Sequence, residues 1–171
     1  MQATESIIKT RGGDLLLRRA GSGPTVLFLH GAGGVPGWLP FFDKLSDRFD
    51  LLVPDHPSFG RSPKPDWLDE IADLAYFYLD LIDELKLKDV HVIGHSMGGM
   101  VSLIYSGSFP KKVSSLVVLG GVTVLPGGKG PPPPHERITK WVDQLDRLHD
   151  RTPHRISTIE EAASRMQAHN K

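Results

Sequence analysis

Apolar and polar positions along the chain change rhythm several times, and each change predicts an element. Glu5–Thr10 and Asp14–Arg19 are short runs of aliphatic and polar residues around Arg11-Gly12-Gly13, the pattern of a hairpin. Thr25-Val-Leu-Phe-Leu-His30 is almost continuously apolar, as a strand covered on both faces must be. Leu39 to Arg48 predicts a short amphipathic helix, and Phe49 to Pro54 the next strand. From Asp66 to Lys86 the residues Leu68, Ile71, Ala75, Tyr78, Ile82 and Leu85 recur every three or four positions, a helical stripe. Asp66 and Asp69 suit its N-cap and its dipole. Asp89–Ile93 predicts a strand, Met100–Phe109 a helix and Val113–Leu119 another buried strand. Strands and helices alternate from residue 25 onward. That order predicts an α/β fold, a mostly parallel sheet with helices on both faces.

The rhythm breaks after Leu125. Pro126-Gly-Gly-Lys-Gly-Pro-Pro-Pro-Pro134 is linker-like, its four consecutive prolines favouring an extended chain. Two helical stretches follow, about His135–His149 and Thr158–Ala168, with Ser157 or Thr158 as the cap of the second and Glu160 and Glu161 in its first turn. No buried-strand pattern appears past residue 125. The division predicted is a core over 1–125 and a linker with lid-like helices over 126–171.

Composition narrows the function classes. The chain has 171 residues, enough for one domain with a real core. Its 20 basic and 20 acidic residues balance, which gives no reason to expect a nucleic-acid or anionic-membrane partner. Cysteine is absent, so disulfides, thiolate nucleophiles and cysteine metal sites are excluded. Neither a signal-peptide pattern nor a membrane-length apolar run is present, and a cytoplasmic protein without a cofactor or metal is the expectation.

The chemistry concentrates in Gly94-His95-Ser96-Met97-Gly98, a Gly-x-Ser-x-Gly pentapeptide between a strand and a helix. A strand turning sharply into a helix holds the turn residue in a strained conformation with its side chain alone above the sheet edge. Small residues two before and two after that serine let the chain double back. Ser96 is therefore the candidate nucleophile. His95 is expected to pack beneath the turn.

His30-Gly31-Ala32-Gly33-Gly34 follows the first buried strand. Acyl transfer needs two backbone N–H donors for the developing oxyanion. Met97, after the nucleophile, and Ala32, in this glycine-rich loop, are the candidates. A rival reading takes Gly31-x-Gly33 as a dinucleotide fingerprint, with Asp50 or Asp55 at a suitable distance. Pro36 then occupies the third glycine position, and the pentapeptide is left unexplained. A glycine-rich turn without a catalytic role is the plainer alternative.

A third loop, Asp55-His56-Pro57-Ser58-Phe59-Gly60-Arg61-Ser62, completes an ordered set. With these three motifs in this order, residues 5 to 125 resemble the α/β-hydrolase superfamily. The resemblance implies Ser96 as nucleophile, Met97 and Ala32 as oxyanion donors, and residues 126–171 as the start of a cap. It implies a largely structural role for the Asp55 loop, Arg61 included. A serine at the turn, where relatives that open epoxides carry aspartate, implies ester, thioester, amide or carbon–carbon bond hydrolysis through an acyl-enzyme. Gly31 and Trp38 are the candidate substrate contacts, Trp38 alongside Phe41 and Phe42.

Relatives carry the acid and the histidine in loops after later strands, and no such strands are legible here. His135, His149, His154 and His169 fall in linker- or lid-like sequence, and Asp143, Asp146 and Asp150 have the spacing of a wet helix face. His30 and His56 precede Ser96 and so fall out of order, and Gly120-Gly121-Val122-Thr123 holds no acid. The expectation is an amino-terminal portion of a serine hydrolase with an incomplete triad, against a non-catalytic or partner-dependent protein and a small hydrolase with an unusual base. An open edge at Val113–Leu119 would favour self-association or a complementing chain.

Overall fold

A computed structural model describes residues 3–120 and 158–168. The chain divides into two compact units, Met1–Leu125 and Pro126–Lys171.

In the first unit β1 (Thr4–Thr10) and β2 (Gly13–Ala20) form the hairpin. β3 (Thr25–Leu29), α1 (Pro40–Ser46), β4 (Asp50–Pro54), α2 (Ile71–Glu84), β5 (Val90–His95), α3 (Met97–Ser108) and β6 (Val113–Leu119) follow. The six strands make one sheet in the order β1-β2-β4-β3-β5-β6. β4, β3, β5 and β6 run parallel to one another, and the hairpin adds the antiparallel edge. The strand–helix alternation from residue 25 therefore builds the parallel sheet that it predicts.

Pleat parity splits the core into two layers. Leu27, Leu29, Leu52, Val90 and Val92 face α2 and α3, packing on Phe77, Tyr78, Leu81, Val101 and Tyr105. Val26, Phe28, Leu51 and Val53 face the other way, onto Phe42 of α1. Apolar residues on both faces of β3 and β4 are what a doubly covered sheet needs.

Four elements differ from their sequence pattern. α2 begins at Ile71 rather than Asp66. Trp67 Nε1 donates to the Gly12 carbonyl at 2.7 Å, and Leu68 N–H to the Pro65 carbonyl at 3.2 Å, holding residues 65–68 as a turn against the hairpin. The N-cap is then Glu70, and Asp73 at N3 closes a capping box, its Oδ2 accepting the N–H groups of Asp69 and Glu70 at 2.8 Å. The expected stripe holds at Leu68, Ala75, Tyr78 and Ile82, which are buried, and widens to Leu74, Phe77 and Leu81, while Ile71 is exposed. β5 extends to His95 and α3 starts at Met97, so strand and helix meet with one residue between them. Among the described residues β6 is an edge strand, with Val117 and Leu119 each 46% exposed, rather than a buried one. Nothing in a strand's own pattern says whether a neighbour covers it.

In the second unit the described helix is Ile159–Ala168. Thr158 Oγ1 accepts the Glu161 N–H at 3.1 Å, so Thr158 is its cap. The expected helix at 135–149 and the Pro/Gly linker lie outside the described residues. No described helix is long and apolar enough to cross a membrane.

Candidate active site

β5 and α3 place Ser96. Its φ is 53° and ψ −115°, in the left-handed half of conformational space, and its side chain is exposed. The Ser96 N–H is held by the Leu119 carbonyl of β6 at 3.1 Å, and its carbonyl accepts the Gly99 N–H at 2.9 Å. Glycine is required on both sides by close approach. A Cβ on Gly98 would run into the Leu29 and His30 carbonyls, and one on Gly94 into the Gly98 carbonyl and Ser102 Oγ. Among the described residues Ser96 Oγ has no hydrogen-bond partner, and neither the Met97 nor the Ala32 N–H has an acceptor. Met97 opens α3, where backbone N–H groups are unpaired and the helix dipole favours negative charge.

The loop after β3 lies against the turn: a Cβ on Gly31 would stand 3.1 Å from Ser96 Cβ and 3.1 Å from His95 Nδ1. Beside it is a cavity of about 290 Å³. Phe28, Val35, Leu39 and Phe41 supply apolar wall, and Gly31 and His95 also line it. Gly31 is thus at the cavity, while Trp38 is not among its lining residues. The Trp38 indole donates instead to Asp43 Oδ1 at 2.9 Å and packs on Phe42, which is fully buried. His95 is exposed at the cavity rather than packed under the turn. Because β5 continues through residue 95, pleat parity puts its side chain on the opposite face to Val92 and Gly94.

Beneath the loop lies a buried polar network. His56 N–H donates to His30 Nε2 at 2.9 Å, and His30 Nδ1 meets the Gly31 carbonyl at 2.7 Å. His56 Nε2 meets the His30 carbonyl at 2.8 Å, and its Nδ1 bonds the Tyr78 hydroxyl. Carbonyls only accept, so His30 carries its proton on Nδ1 and His56 on Nε2. Burial pushes the His56 imidazole down to about 3, with neighbouring His30 adding to the shift. Burial also lowers His30 and raises the Tyr78 phenol well above its ordinary value. Neutral, with both ring nitrogens engaged, neither histidine has a free lone pair to take the Ser96 proton.

Asp55 is buried and paired with Arg18, Nη1 to Oδ1 at 2.5 Å, and Asp50 is paired with Arg19 through two bonds of 2.7 and 2.6 Å. Both carboxylates are occupied, and α1 begins only at Pro40, so the glycine loop does not open into a helix as a dinucleotide site requires. Arg61 reaches outward to Glu5, while its N–H joins Asp55 Oδ2 at 3.3 Å. Sequence reasoning missed the Arg18–Asp55 pair and the Tyr78 link, each joining residues far apart in the chain. Among the described residues no cluster of three His, Asp or Glu is placed to hold a metal. His135, His149, His154 and His169, with Asp143, Asp146 and Asp150, lie outside the described residues.

Residues 24–167 match the family described as alpha/beta hydrolase fold. A 2-hydroxy-6-oxononadienedioate/2-hydroxy-6-oxononatrienedioate hydrolase of Pseudomonas putida is 33% identical over 79% of this chain and 51% of its own length. An uncharacterized protein of Mycobacterium tuberculosis is 38% identical over 62% of this chain and 32% of its own. Among solved structures, the carboxylesterase CesB of Bacillus subtilis superposes with a TM-score of 0.63 at 25% identity, over 69% of this chain and 43% of that one. The chain spans between about a third and about half of the length of these proteins.

Proposed function

The chain belongs to the α/β-hydrolase family, and on that premise we propose that it bears the nucleophile of a serine hydrolase acting on a carboxylic ester or a related acyl or carbon–carbon bond. The supporting observation is the exposed Ser96 at φ 53°, directly before the unpaired N–H groups of α3. In the proposed reaction Ser96 Oγ attacks the substrate carbonyl carbon and passes its proton to a base. The carbonyl oxygen becomes an oxyanion held by the Met97 and Ala32 N–H groups. Collapse expels the alcohol, amine or carbon leaving group, and water then releases the acid from the Ser96 ester.

The substrate is a small molecule whose acyl part fits the apolar cavity beside Gly31, walled by Phe28 and Phe41 but not by Trp38. Among residues 3–120, His30 and His56 are bonded at both ring nitrogens and so do not serve as the base. That observation favours a second reading, a non-catalytic or partner-dependent protein completed by another chain along β6.

A fluorophosphonate probe separates the two. Rapid labelling, lost in Ser96→Ala, supports a working nucleophile in this chain. Labelling no faster than in heat-denatured protein favours the partner-dependent reading.

A further inference from the structure

We infer that Tyr78 and His56 are positioning residues which, through His30, aim the Ala32 N–H toward the substrate carbonyl oxygen. The catalytic consequence rests on Ser96 being the nucleophile. The aiming itself is a property of the loop.

In a trans peptide the carbonyl and the N–H point in opposite directions. The Gly31 carbonyl is held by two donors, His30 Nδ1–H at 2.7 Å and the Gly34 N–H at 3.0 Å. With that carbonyl turned toward the His30 ring, which is 2% exposed, the Ala32 N–H of the same peptide points away from it, and Ala32 itself is exposed. A flipped peptide would set the Ala32 N–H against His30 Nδ1–H, donor against donor in a buried site.

His30 holds its proton on Nδ1 only while something else occupies Nε2. The His56 N–H does so at 2.9 Å. The His56 ring is in turn fixed at both nitrogens, donating to the His30 carbonyl and accepting from Tyr78 O–H on α2. The two imidazoles lie 3.9 Å apart between ring centroids, and Phe59 closes over His30 at 5.2 Å. Reversing either tautomer leaves two donors or two acceptors facing each other in a buried site. The chain of bonds thus admits one arrangement, and it ends at the peptide that presents Ala32.

The test begins with the unmodified protein. Long-range ¹H–¹⁵N spectra of its imidazoles should show His30 protonated on Nδ1 and His56 on Nε2. His30→Leu should move the Ala32 amide resonance and slow Ser96 phosphonylation about a hundredfold, the scale of one lost oxyanion donor, at unchanged probe affinity. His30→Asn, whose amide N–H stands where Nδ1–H stood, should recover much of that rate. Tyr78→Phe should shift the His56 Nδ1 resonance, which loses its donor, and the Ala32 amide in a protein that stays folded. A His30 proton on Nε2, or an Ala32 amide unmoved in folded His30→Leu and Tyr78→Phe, overturns the inference. If Ser96 never labels, the nucleophile reading fails, while the tautomers and the Ala32 amide still decide the aiming.

Discussion

Arg18 Nη1 donates to Asp55 Oδ1 at 2.5 Å where both side chains are almost fully buried, tying β2 to the loop after β4. Arg18 Nε also reaches Glu5 at 3.1 Å, and the Ser62 hydroxyl bridges the Asp55 carbonyl and the Leu16 N–H at 2.9 Å each. This cluster holds the end of β4, from which His56 enters the network under the glycine loop.

Removing one partner of such a pair leaves a buried charge unmatched. Asp55→Ala should lower unfolding free energy by about 3–5 kcal/mol in urea titration. Arg18→Met combined with Asp55→Leu should recover most of that loss. Equal destabilisation by the double replacement would mean that the pair matters for more than its charges.

Gly98 has no room for a methyl group between the Leu29 and His30 carbonyls. Those atoms are backbone and cannot swing aside. Gly98→Ala should cost about 3 kcal/mol or more, above the usual range for overpacking, and distort the Ser96 turn. Thermal melting reads the first effect and fluorophosphonate labelling the second. A melting temperature within a degree or two of the parent's would contradict the close approach.

Phe42 and Phe41 are neighbours with different duties. Phe42 is fully buried under β3 and β4, whereas Phe41 is 42% exposed at the cavity. Phe42→Ala should cost about 3–5 kcal/mol. Phe41→Ala should cost about 1 kcal/mol or less and instead change the preferred acyl chain length in a panel of p-nitrophenyl esters or alkyl phosphonates. The reverse assignment would place the acyl site elsewhere.

Acid should weaken the fold through its buried histidines. Burial holds His56 at about 3 against 6.5 when unfolded, and lowers His30 in the same direction. Between those values the unfolded chain binds more protons, so this contribution is complete above about pH 6.5 and is lost as pH falls toward 3. Inside that window His56 adds a slope of up to about 1.4 kcal/mol per pH unit, and His30 acts in the same direction. Urea midpoints should fall from neutral pH to about pH 4, and less steeply in His56→Gln. Identical slopes in the two proteins would show that His56 titrates normally.

Among the described residues β6 ends the sheet, with Val117 and Leu119 half exposed and its outer backbone groups facing no strand. An edge of this kind pairs with another copy. Sedimentation velocity should show concentration-dependent association that Val117→Lys weakens. A monomer at every concentration would mean that the edge is protected.

The elements and the Ser96 turn were legible in the sequence because their causes are local. Apolar spacing marks a strand or a helix within a few residues, and the glycines around Ser96 record a clash between near neighbours. Helix ends were less legible: α2 starts late because Gly12, in the distant hairpin, captures Trp67. His95 could be placed only once β5 was known to run one residue past Gly94, since a single residue reverses the face.

The sequence by itself determined the α/β order, the family resemblance and the strained serine. Tertiary structure alone decided that Arg18 meets Asp55, that Tyr78 locks His56 and His30, and that Phe41 rather than Trp38 lines the cavity. Those contacts join residues brought together by the crossing of strands and helices. Short-range periodicity records which face a residue occupies, but not which distant residue arrives to face it.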